Sequence, residues 1–316
     1  MNRKIFIDGA AGTTGLEIRE RLAGRRDLQV VQLPDAARKD PAARAAALNA
    51  ADVVILCLPD EAAREAVSLI ENPEVRVIDA SSAHRVAPGW VFGFPEFAPG
   101  NYDAIAAAKR VTNPGCWATG FLALVAPLVR AGLVPAGTPL TAHGISGYSG
   151  GGKTMIEEFE KPDSPTYVET VARAYALQLA HKHIPEMTER AGLAHPPVFS
   201  PYVGRFYRGM IVEVPLHLRM LDGAPKAADL RAALADTYKD RPFVEVAGPA
   251  EAAALKTLDA EMLRNTNKLK LYVFANEKTG QARLSAVLDN LGKGASGAAV
   301  QNLNVMLGLP ETTGLV

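Results

Sequence analysis

Apolar positions along the chain follow two rhythms in succession. The run "KIFIDG" at 4–9 is apolar up to a polar end, which predicts a strand buried on both faces. "AAGTTGLEIRERLAGR", 10–25, reads as a glycine-rich turn entering a helix, with Leu16, Ile18 and Leu22 as inner positions. The pattern then repeats. "LQVVQL" (28–33), "ADVVILCLPD" (51–60) and "EVRVIDASS" (74–82) read as strands, separated by an alanine-rich helix after Asp40-Pro41 and a helix over 60–70. Asp40 suits a helix N-cap and Pro41 the first helical position. Strands alternating with helices predict an α/β fold with a Rossmann-like, doubly wound parallel sheet.

Past about residue 120 the rhythm changes. A helix over 116–131 precedes "PLTAHGISGYSGGGK" (139–153), a strand followed by a glycine-rich loop. In "RGMIVEVPLHLRM" (208–220), Met210, Val212, Val214, Leu216 and Leu218 alternate onto one face, as in a half-buried strand of an antiparallel or mixed sheet. Residues 269–277 and 282–290 read as further strands and 293–309 as a closing helix, so the second domain is predicted to be α+β with a mixed sheet.

Composition narrows the function classes. A chain of 316 residues suffices for two domains. The 34 basic and 34 acidic residues balance, and no long basic run occurs, which argues against a nucleic-acid partner. No stretch approaches the roughly 20 apolar residues of a membrane span. "MNRKIFIDG" carries no signal-peptide pattern, and a cytoplasmic protein is expected. Two cysteines are too few for a disulfide framework or a thiolate zinc site.

The first candidate site is the turn Gly9-x-x-Gly12-Thr13-Thr14-Gly15, which follows a strand and opens a helix. Glycines there permit close approach of a pyrophosphate, and the helix N-terminus supplies N–H groups and partial positive charge. A plain tight turn is the competing reading. In "LPDAARKD" (33–40) Asp35 comes first, but Arg38 and Lys39 follow where a 2′-phosphate would be met, which favours NADP. A solvated charged loop explains these residues equally well.

The cysteines differ from each other. Cys57, inside "VVILCLP", reads as a small core residue. Cys116 follows the turn residues Thr112-Asn113-Pro114-Gly115 and precedes an apolar helix, so it sits at a helix N-terminus that favours a thiolate. On position alone, nucleophile and buried structural cysteine stand level. Among the histidines, His217 reads as a surface residue and His195 as a loop residue; His84 and His143 each follow a strand and are left open. In "LAHKHIPEMTE" (179–189), His181 and His183 point the same way if the chain is extended, and a helix starting near Pro185 brings Glu186 within reach of His183. Such a carboxylate fixes an imidazole tautomer and leaves the other nitrogen for proton transfer. No further ligand cluster of matching spacing accompanies them, so no metal site is expected.

Taken in order, "GAAGTTG", "NPGCWATG", "GISGYSGGGK", "HKHIPE" and "DNLGKGASGAAVQN" resemble the shorter type of N-acetyl-γ-glutamyl-phosphate reductase, a family grouped with aspartate-semialdehyde dehydrogenase. The resemblance spans nearly the whole chain, and the cysteine and "HKHIPE" motifs are its specific parts. It implies NADPH-dependent reduction of a small acyl phosphate, N-acetyl-γ-glutamyl phosphate, to the semialdehyde with release of phosphate, a step of arginine biosynthesis. It makes Cys116 the nucleophile, His183 the acid–base and Glu186 its orienting partner, with His181 and Arg85 (in "SSAHR") on the substrate side. "GFPE" (93–96) falls where the family has a Leu-Pro-Glu turn. Gly147, Ser149, Gly150, Gly151 and Asn290 would face the nicotinamide. The implied domains are 1–115 plus 291–316, with the closing helix returning to the first, and a catalytic and dimerisation domain of 116–290. A homo-oligomer, dimer or tetramer, is expected, since apolar strands of the second domain can pair between subunits. Related acyl-phosphate reductases acting on aspartyl or carrier-linked aminoadipyl phosphate are the nearest alternatives, and a non-catalytic NADPH-binding regulator a more distant one.

Overall fold

The apolar runs of the first rhythm form the centre of a parallel sheet. In the computed structural model, which describes residues 2–34, 36–38 and 40–316, the first elements are β1 (Arg3–Asp8), α1 (Thr13–Leu22), β2 (Leu28–Val31), α2 (Pro41–Asn49), β3 (Val53–Leu56), α3 (Asp60–Ser68) and β4 (Arg76–Asp79). β5 (Val91–Phe92), α4 (Asn101–Ala107) and β6 (Arg110–Thr112) follow. Among the described residues the sheet runs β2-β1-β3-β4-β6-β5, with every pair parallel. The chain leaves β1 toward one edge and returns at β3 toward the other, which places a topological switch point between the ends of β1 and β3. The periodicity does not predict β5, α4 or β6. Strands of two and three residues are too short to carry an alternation.

Local signals behave as their chemistry requires, with one shift. The Asp40 carboxylate accepts the Ala42 N–H at 2.9 Å and caps α2. Leu16, expected inside, is 37% exposed. The inner stripe of α1 is Gly15, Ile18 and Leu22, at i, i+3 and i+7, and Leu16 lies one residue off it.

The second sheet is built from β7 (Thr141–Gly147), β8 (Ala172–Ala174), β9 (Val198–Gly204), β10 (Met210–His217), β11 (Val244–Val246), β12 (Leu269–Asn276) and β13 (Gln281–Leu288), in the order β11-β12-β13-β10-β7-β9-β8 among the described residues. β10 is antiparallel to β13 and β7, while β7 and β9 are parallel, so the sheet is mixed. Met210, Val212, Val214 and Leu216 of β10 are all buried. The helices are α5 (Cys116–Arg130), α6 (Gly152–Glu160), α7 (Ile184–Ala191), α8 (Ala227–Thr237) and α9 (Pro249–Ala254). α5 is buried continuously from Trp117 to Leu128 and packs on β10 and β13 and against α7 and α8. Its interior Pro127 has no N–H to offer the Ala123 carbonyl one turn back. The Tyr238 hydroxyl donates to that carbonyl instead, at 2.9 Å.

The closing helix α10 starts later than the pattern indicates. Gly292–Ser296 is a π-helical turn, and α10 proper is Gly297–Met306, buried throughout and packed on α1, α4 and β4. The chain divides into one unit of Met1–Pro95, Gly100–Gly115 and Ala295–Val316 and another of Glu96–Pro99 and Cys116–Gly294.

Replacing Tyr238 by phenylalanine leaves the buried Ala123 carbonyl without its donor. The expected loss is about 1–3 kcal/mol of unfolding free energy, read from denaturant titration; an unchanged midpoint would show that Pro127 needs no such compensation.

Candidate active site

The first unit presents a cleft at the switch point. Gly9, directly after β1, has φ +87°, and a Cβ there would lie 2.3 Å from the Cys57 carbonyl oxygen. Gly12 donates its N–H to the Gly9 carbonyl at 3.1 Å and is the N-cap of α1. Thr13 and Thr14 open the first turn, whose N–H groups have no partner within the helix, and no acidic residue competes there. Gly15 packs against the same turn: a Cβ there would lie 2.5 Å from the Gly9 carbonyl oxygen. The cleft has a volume of about 720 Å³, with the backbone of 9–12 on its floor and Arg19 and Arg38 in its lining. The exposed side of Leu16 also lines it. Arg44, on the wall, is tied to Asp8 at 3.0 Å and Glu65 at 3.3 Å. Burial opposes its charge, but these two carboxylates outweigh that and hold the guanidinium above its usual range. Size, glycine floor and cationic lining fit a dinucleotide. Asp35 and Lys39 lie outside the described residues.

Of the other candidates in this unit, Cys57 is half-buried and lines this cleft, and His84 and Arg85 are buried. Cys57 follows β3, and burial, then the charges of Asp79 and Asp8, push its thiol up to about 12. Asp79, at the buried end of β4, accepts the Ser81 hydroxyl at 2.7 Å and contacts His84 Nδ1 at 2.6 Å, and the His84 ring stacks on Trp90. Arg85 is buried, and its Nε donates to the Asn113 carbonyl at 3.3 Å. It therefore braces the Asn-Pro-Gly segment that leads to the cysteine. Asn113 Nδ2 also donates to the Ala295 carbonyl, at 2.9 Å.

The second unit carries the cysteine centre. Cys116 is the first residue of α5, and no acidic side chain lies in that turn, so the helix N-terminus acts on the sulfur unopposed by a local carboxylate. The backbone of Gly294 abuts it, since a Cβ on Gly294 would come within 2.7 Å of the Cys116 Cβ. The two histidines of "HKHIPE" do come together, but not on extended chain. Residues 181–184 form a turn in which the Ile184 N–H meets the His181 carbonyl at 2.9 Å, and His183 is helical in φ and ψ. The two rings lie 4.7 Å apart, edge to face. The His183 N–H donates to His181 Nδ1 at 3.2 Å, so a neutral His181 carries its proton on Nε2. His183 is 5% exposed and Glu186 fully buried in the first turn of α7. Arg190, one turn further, feels the charges of Glu186 and Glu189, although burial dominates and lowers its pKa.

Aromatic rings surround this centre. His181 packs 5.0 Å from Phe199, which meets Trp117 edge-on at 5.2 Å. Tyr175 lies 6.0 Å from His181. Its hydroxyl is pushed well above the usual range, first by burial and then by the charge of Cys116, against the pull of a hydrogen bond to Trp117. Sequence reasoning missed Tyr175 because no period or motif marks it. The expected nicotinamide-side residues also cluster. Asn290 accepts the Gly209 N–H at 2.8 Å and donates to Ser149 Oγ at 2.9 Å, and a Cβ on Gly150 would lie 3.5 Å from the Asn290 amide nitrogen. The Gly147 end of the loop is bounded by the Tyr207 carbonyl, 2.6 Å from where a Cβ would stand. Among the described residues no three His, Cys, Asp or Glu side chains are grouped to share a metal ion.

A glycine-floored cleft at the switch point of a parallel sheet, and a cysteine opening a buried helix against which the helix entered by the two histidines packs, fit the class of a nicotinamide-dependent aldehyde-level oxidoreductase. The semialdehyde dehydrogenase NAD binding domain matches residues 4–105 and the semialdehyde dehydrogenase dimerisation domain matches 116–290, and the chain belongs to this family. Within it the chain groups with the N-acetyl-γ-glutamyl-phosphate reductases. It is 54% identical to that of Burkholderia cenocepacia over 96% of this chain and 97% of the relative. It is 53% identical to that of Mesorhizobium japonicum (98% and 100% covered) and 50% identical to that of Trichormus variabilis (100% of each). Its fold is similar to aspartate semialdehyde dehydrogenase II of Vibrio cholerae complexed with ASA, with a TM-score of 0.72 at 15% identity over 98% of this chain and 99% of that one. The Candida albicans aspartate semialdehyde dehydrogenase with NADP gives a TM-score of 0.64 at 13% identity over 97% and 99%.

The two thiols should respond differently to iodoacetamide at pH 8. With its pKa near 12, Cys57 is ionised in about one molecule in 10⁴ and should stay unmodified until the protein is unfolded. Cys116 should be alkylated in the folded protein; equal labelling on peptide mapping would remove the distinction.

Proposed function

We propose that the protein reduces N-acetyl-γ-glutamyl phosphate to N-acetylglutamate 5-semialdehyde, with NADPH as reductant and phosphate as the second product. The observation that carries this reading is Cys116 at the N-terminus of a buried helix that packs against α7, whose entry turn holds the His181–His183 pair edge to face. Relatives of 50–54% identity over nearly the full chain bear that reductase name. The aspartate-semialdehyde dehydrogenase likeness, at 13–15% identity, concerns the fold alone.

His183 takes the thiol proton and the Cys116 thiolate attacks the acyl carbon. A C–S bond forms, the C–O bond to phosphate breaks, and phosphate leaves with its electron pair. The enzyme now holds a thioester on Cys116. When bound, the nicotinamide supplies a hydride to that carbon. The resulting oxyanion is stabilised by N–H groups at the start of α5 and by a proton from His183. His183 takes this proton back as the C–S bond breaks, releasing the aldehyde and the thiolate. Glu186 keeps the His183 ring in one orientation, and His181 and Arg85 act on the substrate side. The glycine turn 9–15 holds the cofactor pyrophosphate, and Gly147, Ser149, Gly150 and Asn290 shape the nicotinamide end. Arg38 and Lys39 answer the 2′-phosphate of NADPH. The enzyme works in the cytoplasm as a homo-oligomer built on the second unit; no helix among the described residues is long and apolar enough to cross a membrane.

The direct test runs the reaction backwards. Purified protein should reduce NADP⁺ with N-acetylglutamate 5-semialdehyde only when phosphate is present, and Cys116→Ser should lose at least about 10³-fold in kcat, on the scale of removing a covalent nucleophile. Turnover with aspartate semialdehyde in its place, or an active Cys116→Ser enzyme, would sink the reading. Arg38→Ala should raise KM for NADPH more than for NADH; equal changes would take Arg38 out of 2′-phosphate recognition.

A further inference from the structure

Two of the motifs have no part in this chemistry as written: "GFPE" at 93–96 and the Lys-Gly step of "DNLGKG" at 289–294. They meet in space although 197 residues separate them in sequence. Lys293 Nζ lies 2.8 Å from both carboxylate oxygens of Glu96. Both residues are buried, at 1% and 2% exposure, and the ammonium also lies 5.7 Å from the centre of the Phe243 ring. Lys293 belongs to the π-helical turn Gly292–Ser296, and the next residue is Gly294, whose backbone packs against Cys116. The Cys116 Cβ would stand 2.7 Å, and its Cα 3.3 Å, from a Cβ placed there. The turn is held from its other end by Asp289, whose carboxylate accepts the N–H groups of Leu291 (2.8 Å) and Gly292 (3.0 Å) and whose carbonyl accepts that of Gly294 (3.0 Å).

We propose that the Lys293–Glu96 ion pair is a positioning device for the nucleophile: it clamps the Gly292–Ser296 turn so that Gly294 walls one side of Cys116 and aims its sulfur. The inference rests on Cys116 being the nucleophile. A fully buried ion pair is costly to desolvate, and an apolar pair of the same shape commonly matches it in stability. Stability alone therefore gives little reason for an ammonium and a carboxylate at this spot. Orientation does, because two charge-assisted hydrogen bonds fix the lysine tip in a way that apolar packing does not. Misplacing a reacting atom by about 1 Å can cost on the order of a hundredfold in rate.

The test replaces the pair as a pair. The double variant Lys293→Met, Glu96→Leu should fold with a near wild-type melting temperature. Its kcat should fall about tenfold to a hundredfold while KM for semialdehyde and NADP⁺ changes less than about threefold. Iodoacetamide should still alkylate Cys116, since the thiol is intact but misaimed. A second variant, Gly294→Ala, pushes a methyl group into the same contact and should lower kcat with KM held. Wild-type kcat in either variant overturns the inference. So does loss of the fold in the double variant, which would make the pair a stability element. Cys116→Ser separates the two levels: if it retains turnover, the thioester reading fails, whereas an inactive Cys116→Ser beside a fully active double variant removes only the positioning role.

Discussion

The cysteine centre depends on one constraint, which is that the helix beginning at Cys116 is buried on every side. From Trp117 to Leu128 no position faces water, and the helix is gripped by β10 and β13 and by α7 and α8. A helix apolar all round has no solvated face to fray from. Its half-buried first residue adjoins this fully buried stretch, which keeps the N-terminal N–H groups and partial charge close to the sulfur. The same packing seats α7, whose entry turn carries His181 and His183. The one weak point in the ladder, Pro127, is covered by the Tyr238 hydroxyl on the Ala123 carbonyl.

A second organising element is the segment 289–294. Asp289 caps its own turn and accepts the Asn265 N–H at 2.5 Å; Asn290 ties Ser149 to Gly209; Lys293 reaches Glu96; Gly294 touches Cys116. Six consecutive residues thus connect the glycine-rich loop, the Pro-Glu turn and the cysteine. The bonds within the Asp289 turn and those to Gly209, Ser149 and Glu96 are polar and buried, so each is worth more than a comparable surface contact and is costly to leave half-made. The π-helical winding here fits that role, since such turns re-aim a few side chains and frequently stand at functional sites.

Much of this was legible in the chain. A buried strand within each of 4–9 and 51–60 (the latter only Val53–Leu56), the Asp40-Pro41 helix start and the alternation of 210–218 appear in the structure, because each is written in residues within a turn or a strand of one another. The glycine turn and the junction before Cys116 were also visible, as turn chemistry acts over three or four residues. Errors fell where the signal was shorter or the geometry less direct. Leu16 turned to the cleft because the helix starts at Thr13, and the histidine pair came together through a turn where extended chain had been expected. β5, β6 and α4 were too short to announce themselves.

By itself, then, the sequence determined the alternation of elements, the glycine-lined turn after the first strand and the placing of a thiol at a helix start. These follow from local steric and hydrophobic rules that operate between near neighbours. Only the tertiary structure decided which groups meet: Gly294 against the Cys116 Cβ, the edge-to-face rings of His181 and His183, and a lysine joined to a glutamate 197 residues away. Contacts of that kind leave no periodic trace, because charge pairing and close approach are properties of distance in space, and burial supplies their strength only once the chain has folded around them.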